Sequence, residues 1–168
     1  TQQRALITSP EYALKKLVGA GVTNVFELAR VYRNDEPADA LHANEFVMLE
    51  WYAINQTFGQ GLQQTIEFIE QFVTQIAGES IAKYKGTRVP VQKEHWQIWR
   101  VDECLKRFCN IKDTLADPDA GWYRKQLDRL QIDHQPSDTR GDLFQRLWQS
   151  KVQPHIDRAP HPMVISHY

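Results

Sequence analysis

NVFELARVYRND (24–35), EPADALHA (36–43) and NEFVMLEWY (44–52) follow one another without a break, and their reading decides the fold. In the first run Phe26, Leu28, Arg30 and Tyr32 alternate with Val25, Glu27, Ala29, Val31 and Arg33. In the third, Phe46, Met48, Glu50 and Tyr52 alternate with Glu45, Val47, Leu49 and Trp51. A period of two among aromatic and branched side chains predicts strands at about 24–32 and 45–52, joined by a polar loop. The charges inside these strands are out of keeping with a plain apolar face. Glu27, Arg30 and Arg33 interrupt the first, and Glu50 shares a face with Phe46, Met48 and Tyr52. An unpaired carboxylate is costly to bury there, so that face meets either solvent or a cation. With helices flanking it, the pattern predicts an α+β fold centred on an antiparallel sheet.

Length and composition fit one globular domain over 1–168. The chain is 42% hydrophobic and 24% charged, with a net charge of −1. Its size suffices to bury roughly two-thirds of the unfolded surface. So small a net charge implies no broad polyanion-binding surface. Cys104 and Cys109 are too few and too close for a disulfide framework, which points to a reducing, cytoplasmic setting. With Glu103 and Asp113 they also lack the second ligand pair of a zinc site. No run has the length of a membrane helix, and no signal peptide is visible. Starting at Thr1 without Met and stopping within an apolar run, the chain reads as a piece of something longer.

Outward from the central stretch, residues 4–8 read as a short strand. Ser9 then offers a helix N-cap, with Pro10 at the first helical position and Glu11 near the positive end of the dipole. Ala13, Leu14, Leu17 and Val18 form a buried stripe, and Gly19 and Gly21 end the helix. Residues 57–76 predict a long amphipathic helix with Leu62, Ile66, Ile69, Phe72, Val73 and Ile76 on its core face. A hairpin-like or irregular connection over 82–94 leads to a strand at 97, which enters a helix near Asp102. A turn at 117–121 is followed by helices over 122–130 and 138–152. Leu143, Phe144, Leu147 and Trp148 face the core of the second, Asp138 or Thr139 caps it, and Pro154 breaks it. An apolar strand over 163–168 closes the chain.

Tyr32-Arg33-Asn34-Asp35-Glu36, a loop, then His42-Ala43-Asn44-Glu45-Phe46-Val47-Met48-Leu49-Glu50 resembles motif 2 of the class II aminoacyl-tRNA synthetases. The pattern is that of the lysine subclass: Phe-Arg-Asn-Glu, loop, His-Asn-Pro-Glu-Phe-Thr-Met-x-Glu. Thr8-Ser9-Pro10-Glu11-Tyr12 is similar to the segment preceding motif 2 there. The Glu50-Trp51-Tyr52 ending and Gln153-Pro154 look most like the compact lysine ligases that modify elongation factor P. The resemblance covers nearly the whole chain and implies part of a class II catalytic domain, an antiparallel sheet flanked by helices.

What the resemblance implies for single residues follows the motif. Arg33 matches the arginine that holds the amino-acid carboxylate and the α-phosphate of ATP. Such use suits a planar guanidinium, whose fork can hold both oxygens. Asp35 stands where the family has Glu, toward the adenine amino group, with Glu36 beside it as a substitute. His42 matches the histidine near the terminal phosphates, and Phe46 the residue that stacks on adenine. Glu11 matches the glutamate that binds the substrate's α-amino group. Glu50 and Tyr52 match residues lining the lysine pocket. The loop between Arg33 and His42 is one residue longer than the family's.

Motif 3, the acidic ligands for Mg2+ and a final lysine-binding glutamate are expected beyond 163–168, and motif 1, which builds a homodimer, before Thr1. The chain alone is therefore expected to be inactive. Three functions follow. The first is a lysine ligase that uses ATP and acts on elongation factor P. The second is the same core from an enzyme charging tRNA with lysine. The third is a non-catalytic module with this fold that binds a nucleotide or a partner.

Overall fold

The alternation in the central stretch folds as a hairpin. In the computed structural model, which describes residues 5–34, 43–84, 86–112 and 118–167, β1 (Asn24–Tyr32) pairs antiparallel with β2 (Glu45–Ala53). The register sets Val25 opposite Tyr52, Glu27 opposite Glu50, Ala29 opposite Met48 and Val31 opposite Phe46. A backbone bond from Arg33 N–H to the Asn44 carbonyl (2.9 Å) extends the pairing one step past β1. The two faces differ. Ala29 and Val31 are buried, and their β2 partners Met48 and Phe46 half-buried. Phe26, Leu28 and Val47 stand exposed on the other face.

Residues 5–8, expected as a strand, form none; Ile7 contributes only its carbonyl, which accepts from Tyr32 N–H (2.9 Å). One backbone bond does not make a ladder, and Leu6 and Ile7 remain exposed. Then α1 (Glu11–Gly19) begins. Pro10, expected at the first helical position, is instead the N-cap and makes no side-chain cap bond. Ser9, expected as the cap, lies one residue before it, and its hydroxyl accepts from Glu11 N–H (3.0 Å), an amide that has no partner inside the helix. Leu14, buried, fixes α1 against β1 and β2, and Gly21, at φ 96°, supplies the left-handed turn that returns the chain to β1.

Contacts divide the chain into two compact units, Thr1–Gln64 and Thr65–Tyr168. Helix α2 (Phe58–Ala77) occurs as expected, but its core face is narrower than its periodicity implies. Ile66 is buried, whereas Phe72 and Ile76 are exposed. Periodicity reports which residues share a face, not whether a neighbour covers its whole length.

In the second unit β3 (Ile81–Tyr84) and β4 (Thr87–Pro90) form an antiparallel hairpin. β5 (Gln97–Arg100) runs into α3 (Val101–Cys109), with Glu103 capping the Arg100 N–H (2.8 Å). α4 (Ala120–Arg129) starts at Asp119, whose carboxylate accepts from Trp122 N–H (2.7 Å). α5 (Arg140–Leu147) starts at Thr139, paired with Asp142 in a capping box. β6 (Met163–Ser166) lies parallel to β5; it ends before His167, which turns to φ 59°, so the expected strand is shorter. The core joins Cys104, Leu105, Cys109, Ile111, Tyr123, Leu127, Leu143, Leu147, Trp148 and Val152.

Pro154 does not break the helix as expected. After α5 the chain passes through a π-helical turn (Trp148–Val152) and on into α6 (Gln153–Ile156). Gln153 N–H reaches back five residues to the Trp148 carbonyl. Proline clashes with the carbonyl four residues earlier, and the wider π turn moves that carbonyl aside. Among the described residues the strands form three two-stranded sheets rather than one larger antiparallel sheet.

Candidate active site

The described site residues lie in the first unit, and the hairpin sorts its own by charge. Arg33 stands at the loop end, just past Tyr32. Its Nε donates to the Thr8 carbonyl (3.3 Å), and its guanidinium carbon sits 5.3 Å from the centre of the Phe46 ring. The contact is a cation–π interaction, and Arg33 is half-buried. Asp35, Glu36 and His42 lie outside the described residues.

Phe46, Glu50 and Tyr52 share one face, as the alternation implies. At ~3.3 Å per residue, Glu50 lies about 13 Å along the strand from Phe46. Here the face turns acidic. Glu27 is the direct cross-strand partner of Glu50, and among the described residues neither carboxylate forms an ion pair. Like charges directly opposite across an antiparallel pair destabilise it. Glu50 accepts one hydrogen bond, from the Ser9 hydroxyl to Oε1 (2.8 Å), while Oε2 is buried with no partner. Glu50 and Tyr52 also border an open hollow of about 260 Å³.

Glu11 is placed differently from the others. Its carboxylate pairs with Lys15 one turn along α1, on the helix surface. That carboxylate, with a smaller contribution from the Tyr52 phenol, holds the Lys15 ammonium above its ordinary value. The link from Glu11 to Glu50 runs instead through backbone and hydroxyl: Glu11 N–H to Ser9 Oγ, Ser9 Oγ to Glu50 Oε1.

Two members of this arrangement escaped the sequence. Ser9 read as a helix cap and Glu27 as a charge interrupting a strand. Their shared relation to Glu50 depends on the β1–β2 register and on how α1 meets the hairpin, and no spacing in the chain states either. The buried Cys104 and Cys109 thiols, which burial pushes up to about 11, belong to the core of the other unit. Among the described residues no group of three or more His, Cys, Asp or Glu is placed to hold a metal ion.

The model of the class II tRNA synthetases for D, K and N matches residues 2–154. The chain belongs to this family. It is 28% identical over 166 residues to the lysine–tRNA ligase of Xanthomonas campestris pv. campestris, covering 96% of the chain and 32% of that protein. It is 27% identical over 165 residues to the elongation factor P–(R)-beta-lysine ligase of Salmonella arizonae, covering 97% of the chain and 44% of the relative. The LysX bifunctional protein of lysylphosphatidylglycerol biosynthesis from Gordonia bronchialis is 30% identical over 146 residues, 84% of this chain and 13% of that one. This class II chain thus spans about a third of the lysine–tRNA ligases that it matches. Among its described residues no helix is long and apolar enough to cross a membrane.

Proposed function

We propose that the chain carries the lysine- and adenine-binding part of an ATP-dependent lysine ligase. The observation that carries this reading is the buried, unpartnered Oε2 of Glu50 on a face where Glu27 adds a second unneutralised carboxylate. A face this acidic favours a ligand that brings a cation, and lysine's ε-ammonium is one. Tyr52, on the same face, offers that ammonium a phenol oxygen. At the other end Arg33 supplies the cation that a carboxylate and a phosphate require, and the Phe46 ring a surface for adenine. A zwitterion with a side-chain ammonium, joined to a nucleotide, has the matching order of charges.

In the reaction a lysine carboxylate oxygen attacks the α-phosphorus of ATP. The bond to the bridging oxygen breaks, pyrophosphate leaves with that electron pair, and lysyl-adenylate remains. Charge accumulates on the α-phosphate oxygens, where the Arg33 guanidinium stabilises it more than in the ground state. Glu50 and Tyr52 fix the far end of lysine so that the carboxylate stays in line. Glu11 takes the α-amino group once its carboxylate leaves Lys15. The ε-amine of an elongation factor P lysine then attacks the carbonyl carbon of the adenylate. The bond to the phosphate oxygen breaks, AMP leaves with that electron pair, the amine gives up a proton to solvent and an amide forms. The tRNA 3′ end is the alternative acceptor. Supplying each acceptor to the full-length protein with labelled lysine distinguishes the two.

Glu50→Gln tests the reading. It keeps the shape and removes the charge-assisted partner of an ammonium, a bond worth roughly 1.5–3 kcal/mol. Lysine affinity of the full-length protein is expected to fall by about tenfold or more while ATP affinity stays. Unchanged lysine affinity makes Glu50 structural and removes the reading's main support.

A further inference from the structure

We propose that Ser9 is a positioning residue of the amino-acid pocket, acting through Glu50; the inference rests on the lysine reading of that pocket. One hydroxyl serves two elements. Its oxygen accepts from Glu11 N–H (3.0 Å), and its only proton goes to Glu50 Oε1 (2.8 Å). The two bonds reach across forty-one residues of sequence from β2 to the first turn of α1.

The consequence for Glu50 follows from counting its lone pairs. With Oε1 engaged, the carboxylate is held in one orientation, and Oε2 is the oxygen left buried and unpartnered. Glu27, opposite, offers no donor and repels it. Without Ser9's proton both oxygens lack a donor, and the carboxylate is free to rotate toward solvent and away from Glu27. Ser9 thus keeps Glu50 aimed against the local electrostatics, and the incoming ammonium gains a preoriented oxygen rather than a mobile one. Because the same hydroxyl accepts from the first amide of α1, the backbone of Glu11 is tied to the same point. The spacing between the sites for the two ammonium groups of lysine is then set by a single side chain.

A helix cap and an orienting donor make different demands on residue 9. Threonine meets both, alanine neither, and aspartate can accept from Glu11 N–H but has no proton for Glu50. Lysine and ATP are titrated by calorimetry into the full-length protein and its S9A, S9T, S9D, E50Q and S9A/E50Q forms. S9T is expected to bind lysine within about twofold of the parent, and S9A and S9D about tenfold or more weaker, all with ATP affinity kept. S9A/E50Q is expected to be no weaker for lysine than E50Q alone, because the two act through one group. Parent-like lysine affinity in S9A or in S9D overturns the inference, the latter by showing that capping is the whole role. Loss of both ligands together in S9A assigns Ser9 to the fold and also overturns it. A parent protein that binds ATP but not lysine overturns the lysine reading itself, and this inference with it; that result is distinct from a parent that binds lysine with Ser9 neutral.

Discussion

Arg33 and Phe46 touch, yet their substitution separates two properties. The guanidinium lies over the ring at 5.3 Å, so Phe46 both offers a stacking surface and holds the arginine. Phe46→Ala is expected to weaken ATP several-fold or more, with a smaller effect on lysine, measured by titrating both ligands. Arg33→Lys keeps the charge but loses the planar fork, and kcat is expected to fall on the order of 100-fold with lysine affinity less affected. Outside the site, Asp138 offers a pH test of the helical unit. Its carboxylate accepts from Arg146 Nε (2.7 Å) and from Gln135 N–H (2.7 Å). The Arg146 hydrogen bond, with help from Gln135, holds its carboxyl below the usual carboxylate range. A carboxylate depressed in the folded state adds stability above its unfolded value of about 3.9, and that stability is lost as pH falls through the folded value. Asp138→Asn is therefore expected to lower Tm at pH 7, with the gap to the parent closing below about pH 4. A gap constant from pH 7 to pH 3 would mean that packing, not charge, carries the effect.

Elements were legible to the extent that local chemistry decides them. The alternation in 24–32 and 45–52 gave both strands nearly to the residue, because one face of each needs covering and a one-residue slip would invert it. Phe46, Glu50 and Tyr52 on one face followed from the same parity. What parity cannot give is the partner across the strand, and so Glu27 opposite Glu50 emerged only with the register. The exposure of Phe72 and Ile76 on α2 was likewise hidden, since it depends on what lies beside the helix. Pro154 misled for another reason: its local rule is sound, but a π turn supplies a helical way around it. That account has a measurable consequence. If the turn already relieves the clash, Pro154→Ala changes stability by less than about 1 kcal/mol in urea unfolding, whereas Gln145→Pro inside α5 costs about 3 kcal/mol or more. A large loss in Pro154→Ala would show instead that the ring itself packs.

At the scale of the molecule, burial is unevenly divided. The second unit holds a ten-residue buried cluster drawn from α3, α4, α5, the π turn and Ile111 just after α3, with Trp99, Phe108, Phe144 and Ile165 packed around it. Its helices are closed by specific caps: Asp119 for α4, and Thr139 with Asp142 for α5. The first unit buries Leu14, Ala29 and Val31, together with Pro10. A two-stranded hairpin with one helix has little apolar area to offset the entropy of ordering it. The two units should therefore differ when each is made alone. Residues 78–168 contain the whole buried cluster and are expected to melt cooperatively and to show near-UV circular dichroism from Trp122 and Trp148. Residues 1–57, with α1, β1 and β2, are expected to show neither. Cooperative melting of 1–57, or its loss in 78–168, would locate the stability elsewhere. The division also bears on the chemistry, since a ligand adds its binding free energy to the unit that holds the site. Saturating lysine and ATP should then slow amide exchange in β1 and β2 of the full-length protein far more than in α3 and α5, by the linkage that makes a ligand stabilise the state it binds.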